Sequence, residues 1–138
     1  MKNILGKICE DKKIFIEKEK KKININFLIK NTSKKTKVRD FKKAFDKVLK
    51  KRKIPVISEL KKKSPSQGKI NKSFSPITIA KKYEKNGATC LSILTEEKYF
   101  DGSLKHLKDV RKITKLPILR KDFIIDNYQV IESKNSGV

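Results

Sequence analysis

The chain has no tryptophan, one histidine, one methionine and two cysteines among its 138 residues. Cys9 and Cys90 are far apart, and Cys90 lies inside an apolar run, so the pair suggests neither a disulfide framework nor a metal site. His106, the single histidine, falls on a polar helical face and is expected at the surface. Arginine is scarce as well, present only at Arg39, Arg52, Arg111 and Arg120. No apolar stretch is long enough to cross a bilayer, and the start M-K-N-I-L-G-K-I-C-E-D has no continuous hydrophobic region of a signal peptide. The chain is therefore expected to be soluble and cytoplasmic, without a membrane partner.

What is abundant is lysine. The formal charge is +22, with 38% charged and 36% hydrophobic residues. Such a charge raises the possibility of a nucleic-acid partner. Three features count against a specific one. Base and phosphate readers lean on the arginine fork; the lysines are scattered through every segment; and lysine, isoleucine and asparagine are inflated together, as AT-rich codon usage produces. An inactive basic remnant that binds polyanions is the alternative this composition leaves open.

Residues 1 to about 38 form a lysine-rich lead. Ile4, Leu5 and Ile8 suggest a short amphipathic helix, Glu17 to Lys22 is a charge run with no apolar face, and N-T-S-K-K-T-K (residues 31–37) reads as a loop. From Asp40 the pattern sharpens. Phe41, Ala44, Phe45, Val48 and Leu49 recur at helical spacing, with Asp40 placed to cap them. Three short apolar runs then appear, I-P-V-I-S-E-L, C-L-S-I-L-T and L-P-I-L-R-K-D-F, starting near residues 54, 90 and 117. Their length and branched composition suit buried parallel strands.

The intervening segments carry helix punctuation. Ser75-Pro76 opens one helix, with Ile79, Ala80 and Tyr83 as its inner stripe and Asn86-Gly87 as its end. Ser103 opens the next, carrying Leu104, Leu107, Val110 and Ile113. Asp126 caps another, expected to be still running at Gly137-Val138. The order is helix, then β-α-β-α-β-α, which calls for a parallel sheet with right-handed crossovers. An open doubly wound sheet or part of a barrel both satisfy it, although no G-x-G-x-x-G follows the first strand.

In such sheets the site lies at the carboxyl ends of the strands. Strand alternation places Ile57, Glu59 and Lys61 on one face, and Leu119, Lys121 and Phe123 on one face of the third strand. If the inner faces coincide, Glu59, Lys61 and Lys121 converge as an anion site with proton donors and an acceptor. From alternation alone, strand-end charges that simply reach solvent explain the same residues.

The stretches E-L-K-K-K-S-P-S-Q-G (Glu59 to Gly68), S-I-L-T-E-E-K-Y-F-D-G-S (Ser92 to Ser103) and L-P-I-L-R-K-D-F-I-I-D-N-Y-Q (Leu116 to Gln129) resemble, in order and spacing, the first part of indole-3-glycerol-phosphate synthase. Two departures are small: Asp101 stands where polar residues vary, and Asn127 where proline is usual. The resemblance implies an α/β fold, a partial (β/α)₈ TIM barrel of about three βα units over residues 51–138, preceded by an N-terminal helical extension over residues 1–50. It implies a cofactor-free lyase of tryptophan biosynthesis, converting 1-(2-carboxyphenylamino)-1-deoxyribulose 5-phosphate to indole-3-glycerol phosphate with loss of carbon dioxide and water. It assigns Lys121 as general acid, Lys61 to the anthranilate carboxylate and proton transfer, and Glu59 to later proton transfers. Ser64 would help bind substrate anions, while Phe100 and Phe123 would wall the aromatic ring. The lead is also similar to that of members fused to phosphoribosylanthranilate isomerase, which makes a covalently fused isomerase domain an expected partner.

Another phosphate-binding barrel is the runner-up reading. Five further βα units, carrying the rest of the site, would lie beyond residue 138. A three-stranded parallel sheet cannot close, so the chain alone is expected to be aggregation-prone or only partly ordered, and to lack synthase activity.

Overall fold

The structure, a computed structural model, describes residues 4–35, 38–70 and 73–138. The chain divides into two compact units. The first comprises the described residues of Met1–Lys37 together with Phe123–Gly137; the second comprises Val38–Asp122 with Val138.

The first unit is helical. Helix α1 spans Ile4–Lys22, α2 spans Ile25–Lys35 and α6 spans Asn127–Asn135. The charge run Glu17 to Lys22, which has no apolar face of its own, is the last part of α1. Its buried stripe is Ile8, Lys12 and Ile16, spaced four apart, whereas Ile4 and Leu5 are exposed. Lys12 is tolerated in that stripe because its stem is apolar and its ammonium sits 5.2 Å from the Phe15 ring centre. Ile16, Leu28 and Tyr128 form the core of this unit, flanked by Phe15, Ile25 and Ile131.

Asn31 to Lys35, expected as a loop, continue α2; Thr36 and Lys37 lie outside the described residues, as do Met1, Lys2 and Asn3. Burial of Leu28 against Tyr128 overrides the weak helix propensity of N-T-S, and the Thr32 hydroxyl donates back to the Leu28 carbonyl at 2.6 Å. The run at the carboxyl end is a closed helix, not a continuing one. Ser136 is its cap, and Gly137 adopts φ 88°, the left-handed conformation that ends helices.

The second unit is α/β. Helix α3 (Phe41–Leu49) is capped by Asp40, whose Oδ1 accepts from the Lys43 amide at 2.8 Å. Its apolar face is only half-buried: Phe41 and Phe45 stack with ring centres 5.4 Å apart, and Leu49 is exposed. Strands β1 (Ile57–Leu60), β4 (Cys90–Leu94) and β5 (Ile118–Lys121) form one parallel sheet in the order β1-β4-β5. The first strand begins after the expected position, because Pro55 has no amide to donate and Ile54 points into solvent. A short antiparallel hairpin, β2 (Lys63–Ser64) with β3 (Gly68–Lys69), follows the first strand. Gly68 has φ 64°, which suits its place at the hairpin turn.

Helices α4 (Pro76–Lys85) and α5 (Leu104–Ile113) start at Ser75 and Ser103, each side chain accepting an amide of the first turn. They cover one sheet face. Leu60, Leu91, Ile93 and Ile118 pack there with Ala80, Leu107 and Val110. Each fully buried Leu or Ile contributes about 1.5–3 kcal/mol.

Cys90 sits in the fully buried strand β4, and burial pushes its thiol up to about 11, so it is a core residue. His106 is not a free surface histidine. It is half-buried, 5.4 Å from the Phe74 ring centre, and its burial, followed by the Lys62 charge, holds it below the usual imidazole range.

Candidate functional site

The register fixes what shares a face. Glu59 pairs with Ser92, and Ser92 with Leu119; two residues on, Leu94 pairs with Lys121. Since Leu60, Ile93 and Ile118 face the helices, the alternating set Ile57, Glu59, Leu119 and Lys121 lies on the opposite face. Ile57 and Leu119 are each 45% exposed, so that face is open on the outer strands. Glu59 and Lys121 stand two strands apart, roughly 10 Å across the sheet.

Lys61 follows the last residue of β1 and turns to the same side as Glu59. Its Nζ lies 3.0 Å from Glu59 Oε2, with the two side chains 34% and 37% exposed. The alternation read from sequence is thus realised as a direct ion pair at the strand end. Lys62 points elsewhere and meets Asp101 at 2.8 Å, while Lys63 enters the β2–β3 hairpin. The Lys62 hydrogen bond holds the Asp101 carboxyl below its usual range. Glu59 is also held through its backbone, where its carbonyl accepts from the Tyr83 hydroxyl at 3.3 Å. A groove of about 360 Å³ runs along this part of β1, lined by Glu59, Lys61, Ile70, Ile79, Lys82 and Tyr83 among others.

Ser64 is buried in the hairpin. Its Oγ accepts the Gln67 amide at 3.2 Å, so part of its hydrogen-bonding capacity serves its own turn. Phe100 is half-buried in the β4–α5 loop, which is organised by a buried carboxylate. Glu96 Oε2 accepts the amides of Tyr99 at 2.7 Å and Phe100 at 3.3 Å. Gly102 closes this loop: a Cβ there would meet the Leu94 and Glu96 carbonyl oxygens at 2.6 and 2.7 Å. Phe123 belongs to the helical unit, half-buried, its carbonyl accepting Gln129 Nε2 at 3.0 Å.

The structure therefore brings Glu59 and Lys61 into contact and puts Lys121 on the same open face. Sequence reading missed the support behind Lys121. Arg120 and Asp122, its two neighbours, form an ion pair at 3.3 Å with side chains only 7% and 1% exposed. Thr95 joins them from the end of β4, donating to Asp122 Oδ2 at 2.6 Å. The signal available was R-K-D itself, two opposite charges flanking a lysine on a strand.

Acid–base chemistry on an anionic substrate needs a cationic donor, a nearby acceptor and rigid strand ends to hold them. This face offers all three. The sequence profile of the family "Indole-3-glycerol phosphate synthase" matches residues 5–138. A protein of that name from Alkaliphilus metalliredigens (strain QYMF) is 42% identical over 134 residues, covering 97% of this chain and 50% of the relative. Another, from Ruminiclostridium cellulolyticum, is 45% identical over 134 residues, with 97% and 51% covered. A third, from Prochlorococcus marinus (strain MIT 9515), is 45% identical over 136 residues, with 99% and 45% covered. The chain spans about half the length of the curated relatives it matches. The matched span, 5–138, takes in nearly every residue described above, and the chain belongs to the indole-3-glycerol phosphate synthase family.

Proposed function

We propose that this chain supplies the first three βα units of a (β/α)₈ barrel that makes indole-3-glycerol phosphate from 1-(2-carboxyphenylamino)-1-deoxyribulose 5-phosphate in the cytoplasm, without a cofactor. In this reading residues 1–50 are a helical extension and residues 51–138 begin the barrel. The observation that carries it is the Glu59–Lys61 ion pair on the open sheet face that also bears Lys121.

The reaction closes a carbon–carbon bond between the anthranilate ring and the ketone carbon, expels carbon dioxide from the ring position attacked, and loses the former ketone oxygen as water. Lys121 Nζ gives its proton to that oxygen as the ring closes, and its charge stabilises the negative charge developing there. Lys61 binds the carboxylate that leaves as carbon dioxide and supplies the second proton with which the resulting hydroxyl departs as water. Glu59, 3.0 Å from the Lys61 ammonium, accepts a proton as the indole ring becomes aromatic. Proton transfers of this kind contribute about 10²–10⁴-fold each. Ser64 assists in binding substrate anions, and Phe100 and Phe123 wall the aromatic ring. The lead's likeness to fused members makes an isomerase domain the proposed covalent partner.

The test is the protein in which this chain lies, expressed from its whole reading frame and given the phosphorylated ketose substrate. Indole-3-glycerol phosphate, followed by its indole fluorescence, is the expected product. A folded protein that binds the substrate and releases no indole would refute the reading.

A further inference from the structure

Lys121 stands on a strand whose pairing, among the described residues, is to β4 alone. An acid must be held to a fraction of an ångström. The residues on either side of it are arranged to do this. Alternation sends Arg120 and Asp122 to the face opposite Lys121, where both side chains are almost out of water. Thr95 sits between them. Its hydroxyl has one proton, which it donates to Asp122 Oδ2 at 2.6 Å, and it accepts Arg120 Nε at 3.1 Å. Arg120 Nη2 reaches the same Asp122 oxygen at 3.3 Å. The Thr95 amide donates to the Lys121 carbonyl at 3.0 Å.

One residue thus ties down the lysine's own carbonyl and both of its neighbours. A buried ion pair is a poor way to gain stability, because desolvation costs several kcal/mol per ion. Its use lies in fixing a geometry, and the geometry fixed here is that of the residue between the two charges.

We propose that Thr95, Arg120 and Asp122 are a positioning clamp that sets the direction of Lys121; the proposal rests on the reading of Lys121 as the general acid. None of the three has to touch substrate. They act on the backbone from which Lys121 projects.

The test compares Thr95→Val, which keeps the shape and loses the hydroxyl, with Thr95→Ser, which keeps the hydroxyl. Both are made in the protein expressed from its whole reading frame. For Thr95→Val we expect kcat to fall by about 10-fold to 100-fold, with KM within about twofold, since misplacement by about 1 Å costs that much. Thr95→Ser should stay within about threefold of the parent. Asp122→Asn, which keeps shape and removes charge, carries the same expectation as Thr95→Val and replaces it if that variant does not fold.

The second readout is independent of turnover. The Lys121 amide order parameter should fall from the rigid-backbone value of about 0.85 toward 0.6 in Thr95→Val and recover in Thr95→Ser. A Thr95→Val protein with unchanged kcat, or with Thr95→Ser equally impaired, overturns the clamp. If the parent protein turns over no substrate, the functional reading fails and the order parameter alone decides: an unchanged value overturns the clamp, and a fall upholds it.

Discussion

Lys61 Nζ lies 3.0 Å from Glu59 Oε2 across a single intervening residue, and both side chains remain about one-third exposed. An ion pair so accessible to water stabilises a fold by about 0–1 kcal/mol. Its interest is therefore chemical. Glu59→Gln keeps the shape and the hydrogen-bonding reach but removes the charge. In the protein expressed from its whole reading frame, we expect indole formation to fall by about 10²–10⁴-fold. The urea midpoint should hardly move. Equal loss of stability and activity would reduce the pair to a structural contact.

Lys121 projects from the exposed end of β5 and has no part in the buried core. Lys121→Ala should therefore leave circular dichroism and thermal midpoint close to the parent, while indole formation drops below detection. Lys121→Arg keeps the charge but holds its proton too firmly to act as an acid at neutral pH, and should fail nearly as badly. Substantial turnover by either variant would remove Lys121 from its assigned role.

Gly102 is needed for space. Any Cβ at this position would sit 2.6 Å from the Leu94 carbonyl oxygen and 2.7 Å from that of Glu96, and both are backbone atoms that cannot swing away. Gly102→Ala should destabilise the protein by about 1–3 kcal/mol, the range for overpacking a tight site. It should also shift the neighbouring Asp101 and loosen its ion pair with Lys62. A denaturant titration gives the first effect; the amide shifts of Glu96 to Asp101 report the second.

What the sequence reveals and what it conceals divide along contact distance. Helix caps at Asp40, Ser75, Ser103 and Asp126 are legible because each is a hydrogen bond within three residues. The Glu59–Lys61 pair is legible because alternation acts over two residues. The helical state of Glu17 to Lys22 is not, since Lys20 finds its partner at Asp126, 106 residues away. Nor does local propensity reveal that Leu28 packs with Tyr128 and carries N-T-S into a helix. The Thr95–Asp122 bond spans 27 residues and joins the ends of two strands, so only the parallel register exposes it. Alternation groups Phe123 with Lys121, but it cannot announce that Phe123 belongs to the helical unit.

The Lys20–Asp126 contact makes a prediction about acid stability. Asp126 caps α6 by accepting the Tyr128 amide at 2.8 Å, and its other oxygen meets Lys20 Nζ at 2.8 Å. The Lys20 hydrogen bond first, and the Tyr128 amide second, hold its carboxyl below the usual range. A carboxyl whose native value lies below its unfolded value contributes stability above the unfolded value, about 3.9, and loses it as pH falls through the native one. Asp126→Asn retains the capping oxygen, because Asn caps helices as well as Asp, but gives up the charge facing Lys20. At neutral pH the parent should therefore have the higher urea midpoint. Asp101 and Asp109 are also held low by lysine partners and titrate in the same acid range. They are present in both proteins, so the parent-minus-variant difference isolates Asp126. That difference should be largest near pH 6 to 7 and shrink toward zero by about pH 2 to 3, once the carboxyl is protonated. A gap that stays constant down to that pH would mean that the charge of Asp126 does not support the helical unit.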